Sequence, residues 1–86
     1  MFTLTWESTA LDQLADAYVA ATPDDRERMA AGVESLNARL RADPLAVGES
    51  RVGGFRVEFV SRLAILFHVS EKDRTVRVVR LRRSPR

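Results

Sequence analysis

Residues 55–69 of this 86-residue chain read FRVEFVSRLAILFHV, and they contain the clearest signal of secondary structure. Over residues 55–59, apolar and charged side chains alternate, which is typical of a β-strand with one buried and one solvated face. Ser61-Arg62 predicts a tight connection. Residues 63–69 are almost all apolar, as in a central strand that is covered on both sides. The stretch therefore predicts two neighbouring antiparallel strands.

The residues on either side of this stretch extend the prediction. A polar turn over residues 70–74 is followed by a last strand over residues 75–82, so that three strands form an antiparallel meander. Residues 42–54 have no apolar period and contain Pro44, Gly48, Gly53 and Gly54. They predict a long loop, and such loops in small domains tend to be functional or mobile.

Two helices are predicted before this loop. The first covers about residues 9–21, with Ser8 or Thr9 as the N-cap. Its apolar spacing is formed by Leu11, Leu14, Ala15 and Tyr18. The second helix of about 19 residues begins at Thr22-Pro23 and ends before Asp43-Pro44. Its apolar stripe consists of Met29, Val33, Leu36 and Leu40.

The N-terminal segment completes the predicted architecture. Phe2–Trp6 alternates apolar and polar residues and predicts a strand. The resulting order is β-α-α-β-β-β. The sequence thus predicts a single α+β domain over residues 1–86, in which a helical hairpin packs on one face of a small antiparallel sheet.

Charge is distributed unevenly along the chain. Residues 1–50 carry four arginines against nine carboxylates, a net charge of −5, and residues 51–86 carry ten cations against three carboxylates, a net charge of +7. Such asymmetry indicates a polyanion or an acidic protein as partner of the basic half. The chain has no cysteine, which excludes disulfides and thiol catalysis and is compatible with a reducing cytoplasm. No apolar run reaches the roughly 20 residues of a membrane span, so no membrane partner is expected.

Several kinds of catalytic site are excluded by the residues that are present. Gly53-Gly54 is not followed by Lys-Ser/Thr and precedes a strand, so it is not a phosphate-binding loop. His68 is the only histidine, and no serine lies in a Gly-x-Ser-x-Gly context. We therefore expect neither a metal site nor a hydrolase triad, and no cofactor.

Arginines on or beside the strands are the informative feature. Their positions are Arg51, Arg56, Arg62, Arg77, Arg80, Arg82, Arg83 and Arg86. Because neighbouring strands lie about 4.8 Å apart, arginines on one face can converge on a phosphate. Arg56, Arg82 and Arg83 are favoured for such a role, with Arg56 expected on the face away from the helices. Arg74 and Arg77 are predicted to be solvated strand residues that protect an edge.

Three other polar residues are weaker candidates. His68 is predicted to be half-buried and hydrogen-bonded. Glu58 is predicted to pair with a neighbouring arginine, and Glu49 is a candidate general base in the long loop.

Along its whole length the chain resembles the RelE/ParE superfamily, the toxins of type II toxin–antitoxin modules. The resemblance lies in the opening strand that ends at Trp6, in Leu40-Arg41-Ala42-Asp43-Pro44-Leu45, in Gly53-Gly54-Phe55-Arg56-Val57, and in residues 63–69 and 76–81. The order of the elements contributes as much to it as these short motifs.

The resemblance implies ribosome-dependent mRNA cleavage by attack of a 2′-OH on the adjacent phosphate. It implies catalytic roles for Arg56, Arg83 and Arg62. Arg51, Arg80 and Arg82, from the set of arginines on or beside the strands, are predicted to bind RNA phosphates. The arginine expected in the central strand is Ala64 here, and neither Tyr nor His follows the last strand. The implied partners are a cognate antitoxin, which covers the hairpin, the sheet, Arg56 and Arg83, together with the ribosome and mRNA. The alternatives are inhibition of DNA gyrase, as in the ParE-like branch, and a catalytically degenerate module that binds the antitoxin or nucleic acid.

Overall fold

A computed structural model describes residues 1–85, and Arg86, one of the arginines named above, lies outside the described residues. The helices are α1 (Ser8–Ala20) and α2 (Pro23–Ala42). The strands are β1 (Thr3–Trp6), β2 (Glu49–Ser50), β3 (Phe55–Val60), β4 (Leu63–Ser70) and β5 (Thr75–Arg83). Single 3-10 turns occur at Pro44–Ala46 and Val52–Gly54.

The five strands form one sheet in the order β1-β5-β4-β3-β2. The pairs β2–β3, β3–β4 and β4–β5 are antiparallel, whereas β1 lies parallel to β5. The predicted α+β fold and the three-stranded meander are confirmed. The loop predicted over residues 42–54 contains an additional two-residue edge strand, β2, which is too short to produce an alternating pattern.

The start of α2 follows the predicted chemistry. The backbone N–H of Asp25 donates to Thr22 Oγ1 at 3.2 Å, and Pro23 occupies the first turn. Helix α1 differs from the prediction. It begins at Ser8, its N-cap is Glu7, and no side chain caps it, so the predicted caps Ser8 and Thr9 are wrong by one or two residues.

The core lies between the two helices and one face of the sheet. In α2 the predicted stripe is confirmed, since Met29, Leu36 and Leu40 are buried and Val33 is half-buried. In α1 the buried face centres on Ala10 and Ala17, and the predicted Leu14 and Tyr18 pack against the core as partly buried residues, whereas Leu11 is 49% exposed. Apolar residues lie on both sides of α1, so helical periodicity alone did not select the side that packs.

The strand register separates two faces of the sheet, because directly paired residues of neighbouring strands project to the same side. One face packs on the helices through Leu63, Ile65 and Phe67 of β4 and Val76 and Val78 of β5. We call the other the open face. On β3, β4 and β5 it carries Phe55, Val57, Phe59, Ala64, Leu66, His68, Arg77, Arg80 and Arg82.

Strand β4 is less covered than predicted. Leu66 and His68, on the open face, are half-buried, whereas their neighbours on the helix side are buried. None of the helices within residues 1–85 has the length and apolar composition needed to cross a bilayer.

The segment before β3 lies close against that strand. Gly48 has a φ of +70°, and a Cβ at this position would lie 2.2 Å from the carbonyl oxygen of Val57. Only glycine meets both demands, the left-handed backbone and the close approach. This contact brings β2 into pairing distance of β3 and so places residues 49–51 beside the open face.

Candidate functional site

A concavity lies on the open face of the sheet. It has a volume of ≈ 370 Å³. Val57, Phe59, Ala64 and Leu66 are among the apolar residues that line it, and its cations are Arg51, Arg80 and Arg82. The structure therefore brings together the three arginines that were predicted to bind phosphate. We call this concavity the arginine groove.

A β-bulge in β5 places two of these arginines. Arg77 pairs with His68 on the open face, but the register shifts between Phe67 and Leu66, so that Arg80 pairs with Leu66. Val79 is the extra residue of this bulge, and each side chain that follows it projects to the side opposite to the one that strict alternation would give. Without it, strict alternation from Arg77 would turn Arg83 toward the open face and Arg80 toward the helices.

Arg51 lines the groove on the side of β3, because it directly follows the short edge strand β2 that pairs with β3. Its backbone N–H donates to the carbonyl of Phe55 at 2.7 Å, and its Nη1 donates to the carbonyl of Ser50 at 3.0 Å. Its Nη2 lies 3.5 Å from Glu49 Oε1. Glu49 pairs with Val57, so this carboxylate also belongs to the open face.

The prediction that Arg56 lies on the face away from the helices is wrong. Arg56 pairs with the buried Phe67 and therefore projects to the helix side of the sheet. There its Nε donates to the carbonyl of Val47 at 2.8 Å and its Nη2 to that of Gly48 at 3.1 Å. The guanidinium thus ties the segment before β2 to β3.

The reason for this error lies in the position of β3 near the edge of the sheet. At this edge the helix side holds polar contacts, including the predicted ion pair of Glu58, whose Oε2 lies 2.9 Å from Arg39 Nη1. The apolar side chains of β3 cover the open face instead. The alternation of apolar and charged residues in β3 shows that the two kinds of side chain lie on opposite faces of the sheet. It does not show which of the two faces the helices cover.

The other two arginines with predicted catalytic roles do not line the groove either. Arg83 pairs with the buried Leu63 and lines a smaller concavity of ≈ 200 Å³ together with Asp16 of α1. Arg62 lies in the exposed β3–β4 turn, where its carbonyl accepts from the backbone N–H of Ser84 at 2.7 Å. Arg56, Arg62 and Arg83 therefore do not converge, and their expected common placement is wrong.

Gln13 is a groove residue that the sequence did not indicate. Beyond Val78, strand β5 has no β1 residue beside it. The backbone N–H of Leu81 donates instead to Gln13 Oε1 at 2.7 Å, which brings α1 to the rim of the groove. An isolated glutamine between apolar helix positions carries no signal for this contact.

The chemistry of the groove is that of an anion site. Arginine stays protonated at any working pH, so these guanidinium groups can bind a phosphate but cannot accept its proton. No carboxylate or imidazole within residues 1–85 lines the groove, and Glu49 approaches it through Arg51. His68 lies farther along the open face, with its ring centroid 4.9 Å from that of Phe55 and edge-on to it. Across the described residues no three His, Asp or Glu side chains cluster as metal ligands.

Comparison with solved structures shows the fold to which this chain belongs. A chain of the chromosomal ParDE TA system from P. aeruginosa matches with a TM-score of 0.72 and 21% identity, over 98% of this chain and 97% of that one. A chain of the toxin–antitoxin complex RelBE2 from Mycobacterium tuberculosis matches with a TM-score of 0.72 and 23% identity, over 99% and 93%. The isolated E. coli RelE toxin matches with a TM-score of 0.66 and 13% identity, over 100% and 87%.

These likenesses cover nearly the whole length of each chain, so the fold is that of the RelE and ParE proteins, as the sequence resemblance implied. No protein-family model and no curated protein sequence matches the chain.

Proposed function

We propose that this protein is the toxin of a type II toxin–antitoxin pair and that it cleaves mRNA on the ribosome. The observation that carries the proposal is the convergence of Arg51, Arg80 and Arg82 around one groove with an apolar floor. Cations from separate strands suit a sugar–phosphate chain, and the phenyl ring of Phe59 in the floor suits a base. The shared fold with proteins whose structures are named as RelE and ParDE systems supports the same assignment.

In the proposed reaction the 2′-oxygen of one nucleotide forms a bond to the adjacent phosphorus, and the bond from phosphorus to the 5′-oxygen breaks. The products carry a 2′,3′-cyclic phosphate and a 5′-hydroxyl. Arg80 and Arg82 stabilise the charge that develops on the phosphoryl oxygens. Glu49 accepts the proton of the 2′-OH, and a group of the ribosome or water protonates the leaving oxygen.

Glu49 is chosen as the base because of its position. It faces the open side of the sheet opposite Val57, and its carboxylate lies 3.5 Å from a groove arginine. General bases usually contribute about 10²–10⁴-fold, so Glu49→Gln is expected to slow cleavage to this extent while RNA binding is retained.

A cognate antitoxin is the proposed protein partner. Leu11 and Val19, which are 49% and 79% exposed, lie with Ala15 at i, i+4 and i+8 on the outer side of α1. An amphipathic segment of the antitoxin would bury this stripe. Arg56 is not part of the proposed contact surface, because its guanidinium is already bonded to Val47 and Gly48.

Inhibition of DNA gyrase is the second candidate function. The observation that favours it is the composition of the groove, where the lining residues within 1–85 include no proton acceptor. A site of this kind can hold a nucleic acid or an acidic protein surface without breaking a bond. The match to a ParDE chain fits this alternative equally well.

One experiment separates these functions. The chain is expressed alone in bacteria, and growth, mRNA integrity and DNA damage are followed in parallel, with and without the product of the neighbouring gene. An endonuclease toxin is expected to arrest growth with cut mRNA and intact DNA, and the neighbouring product is expected to relieve the arrest. DNA damage with intact mRNA would establish the gyrase alternative, and unimpaired growth would remove both.

The double variant Arg80→Ala/Arg82→Ala is the test of the site in the same assay. It is expected to abolish the arrest, whereas Arg28→Ala/Arg41→Ala, which removes the same charge from α2, is expected to retain it. Equal behaviour of the two double variants would contradict a role for the arginine groove.

A further inference from the structure

The open face contains a second concavity that continues the arginine groove. It has a volume of ≈ 270 Å³, and its lining residues include Glu7, Phe55, Leu66, Arg77 and Arg80. Leu66 and Arg80 line both concavities, so the two adjoin at these residues. Each concavity contains one phenyl ring, from Phe59 in the groove and Phe55 in its continuation.

The cations of β5 follow the same path. Arg77, Arg80 and Arg82 all project to the open face, and Arg80 lies between the other two. Residues two apart in a strand are separated by about 6.6 Å, which is comparable with the distance between neighbouring phosphates of an extended single strand. A basic track with interleaved aromatic rings is the arrangement by which sheets bind single-stranded nucleic acid.

One carboxylate of the chain itself occupies this track. Glu7 Oε2 forms an ion pair with Arg77 Nη1. The side chains of Arg77 and Glu7 remain 48% and 39% exposed, so solvent screens the pair and it stabilises the fold little. A phosphate arriving at Arg77 would replace the carboxylate at small cost.

We propose that the open face holds two adjoining nucleotide subsites, in which Arg80 binds the phosphate between them and Glu7 blocks Arg77 of the second subsite until single-stranded nucleic acid displaces it. The inference rests on the proposed function, because it assumes that the arginine groove is the first subsite. It extends the site to Arg77, which the sequence predicted to be a solvated edge residue.

The test uses the whole chain and a fluorescent single-stranded RNA hexanucleotide, with binding measured by anisotropy over a series of salt concentrations. Glu7→Gln is expected to tighten binding about two- to five-fold, the range of an exposed ion pair. Arg77→Ala, which removes one phosphate contact with a single strand, is expected to make the slope of log K against log salt shallower by about 0.7.

Glu34→Gln is the matched control, since it removes the same charge from the exposed side of α2. It is expected to leave the RNA affinity unchanged. The gain from Glu7→Gln is expected to vanish in Glu7→Gln/Arg77→Ala. If Glu7→Gln and Glu34→Gln have the same effect on RNA affinity, or if the gain in affinity persists without Arg77, the proposal of a second subsite is wrong.

An acidic peptide is the competing occupant of this surface. Phe55→Leu keeps an apolar side chain but removes the ring, so it is expected to weaken RNA binding and leave hexaglutamate binding unchanged. Equal losses for RNA and hexaglutamate would overturn the choice of nucleic acid. Absence of RNA binding by the wild-type chain would overturn the inference as well.

Failure of this inference is separable from failure of the proposed function. The proposed function is judged by growth arrest and by cut mRNA, which require only the arginine groove. A toxin whose arrest depends on Arg80 and Arg82, but whose RNA affinity does not respond to Glu7→Gln, would retain the function without the second subsite.

Discussion

The arginines on the two faces of the sheet differ in their bonding partners. On the helix side, Arg56 donates hydrogen bonds to the carbonyls of Val47 and Gly48, and Arg39 forms an ion pair with Glu58. On the open face, Arg80 and Arg82 line a groove that contains no carboxylate among its described residues. Arginine side chains therefore bind groups of the protein itself on the helix side, whereas those on the open face are available to an external anion.

This difference shows that an arginine count is a poor guide to a binding site. Arg56 and Arg80 both lie within strands of the meander, and each is flanked by two apolar residues. The groups that they meet across the strand and in the preceding loop decide their roles. The comparison can be tested by removing arginines from each face and measuring stability and anion binding separately.

The largest effect is expected from the open face. Arg80→Ala/Arg82→Ala should weaken binding of single-stranded RNA at least about 100-fold, because each charge-assisted hydrogen bond contributes about 1.5–3 kcal/mol. The free energy of unfolding should change by less than about 0.5 kcal/mol, since both side chains are exposed. Anisotropy titrations and urea unfolding measure the two quantities. A large loss of stability with unchanged RNA affinity would contradict the assignment of anion binding to the open face.

An intermediate effect of the opposite kind is expected on the helix side. Arg56→Ala should lower the free energy of unfolding by about 1–3 kcal/mol, because the carbonyls of Val47 and Gly48 lose their donors. Urea unfolding measures this, with Arg80→Ala as the matched control that should unfold like the wild type. Because Arg56 ties the segment that precedes Arg51 to β3, we expect any effect of Arg56 on RNA binding to act through the position of Arg51. Arg51→Ala/Arg56→Ala should then bind RNA no more weakly than Arg51→Ala alone. Additive losses would place Arg56 itself on the phosphate.

The smallest effect concerns the turn between β3 and β4. Ser61 and Arg62 have φ values of +45° and +64°, a conformation that favours Asn-Gly over these residues. Ser61→Asn/Arg62→Gly should therefore raise the free energy of unfolding by about 1 kcal/mol, measured as a higher urea midpoint. RNA affinity should not change, since Arg62 lies outside the groove. A loss of affinity would restore Arg62 to the site.

The sequence predicted the architecture well because its signals are local. The meander follows from alternation and turn residues, and the second helix from Thr22, Pro23 and its apolar stripe. The two-residue strand β2 and the contact of Gln13 with Leu81 depend on neighbours that are distant along the chain. The spacing of apolar residues within those segments therefore predicts neither the strand nor the contact.

The candidate site was predicted only in part, for two physical reasons. Alternation in β3 separates Arg56 from Phe55 and Val57 without saying which side the helices cover. In β5 the bulge after Val78 reverses the faces of the later residues, and Val78-Val79-Arg80 carries no glycine or other mark of a bulge. Arg51, Arg80 and Arg82 line one groove, whereas Arg56, Arg62 and Arg83 do not line it.

The most direct test of the division between the faces is NMR mapping of the arginine side-chain Nε–H signals during titration with a short single-stranded RNA. The signals of Arg51, Arg80 and Arg82 are expected to shift together with the same saturation point. That of Arg56, whose Nε is held by the Val47 carbonyl, is expected to stay in place. Movement of Arg56 with Arg80 and Arg82 stationary would contradict the account.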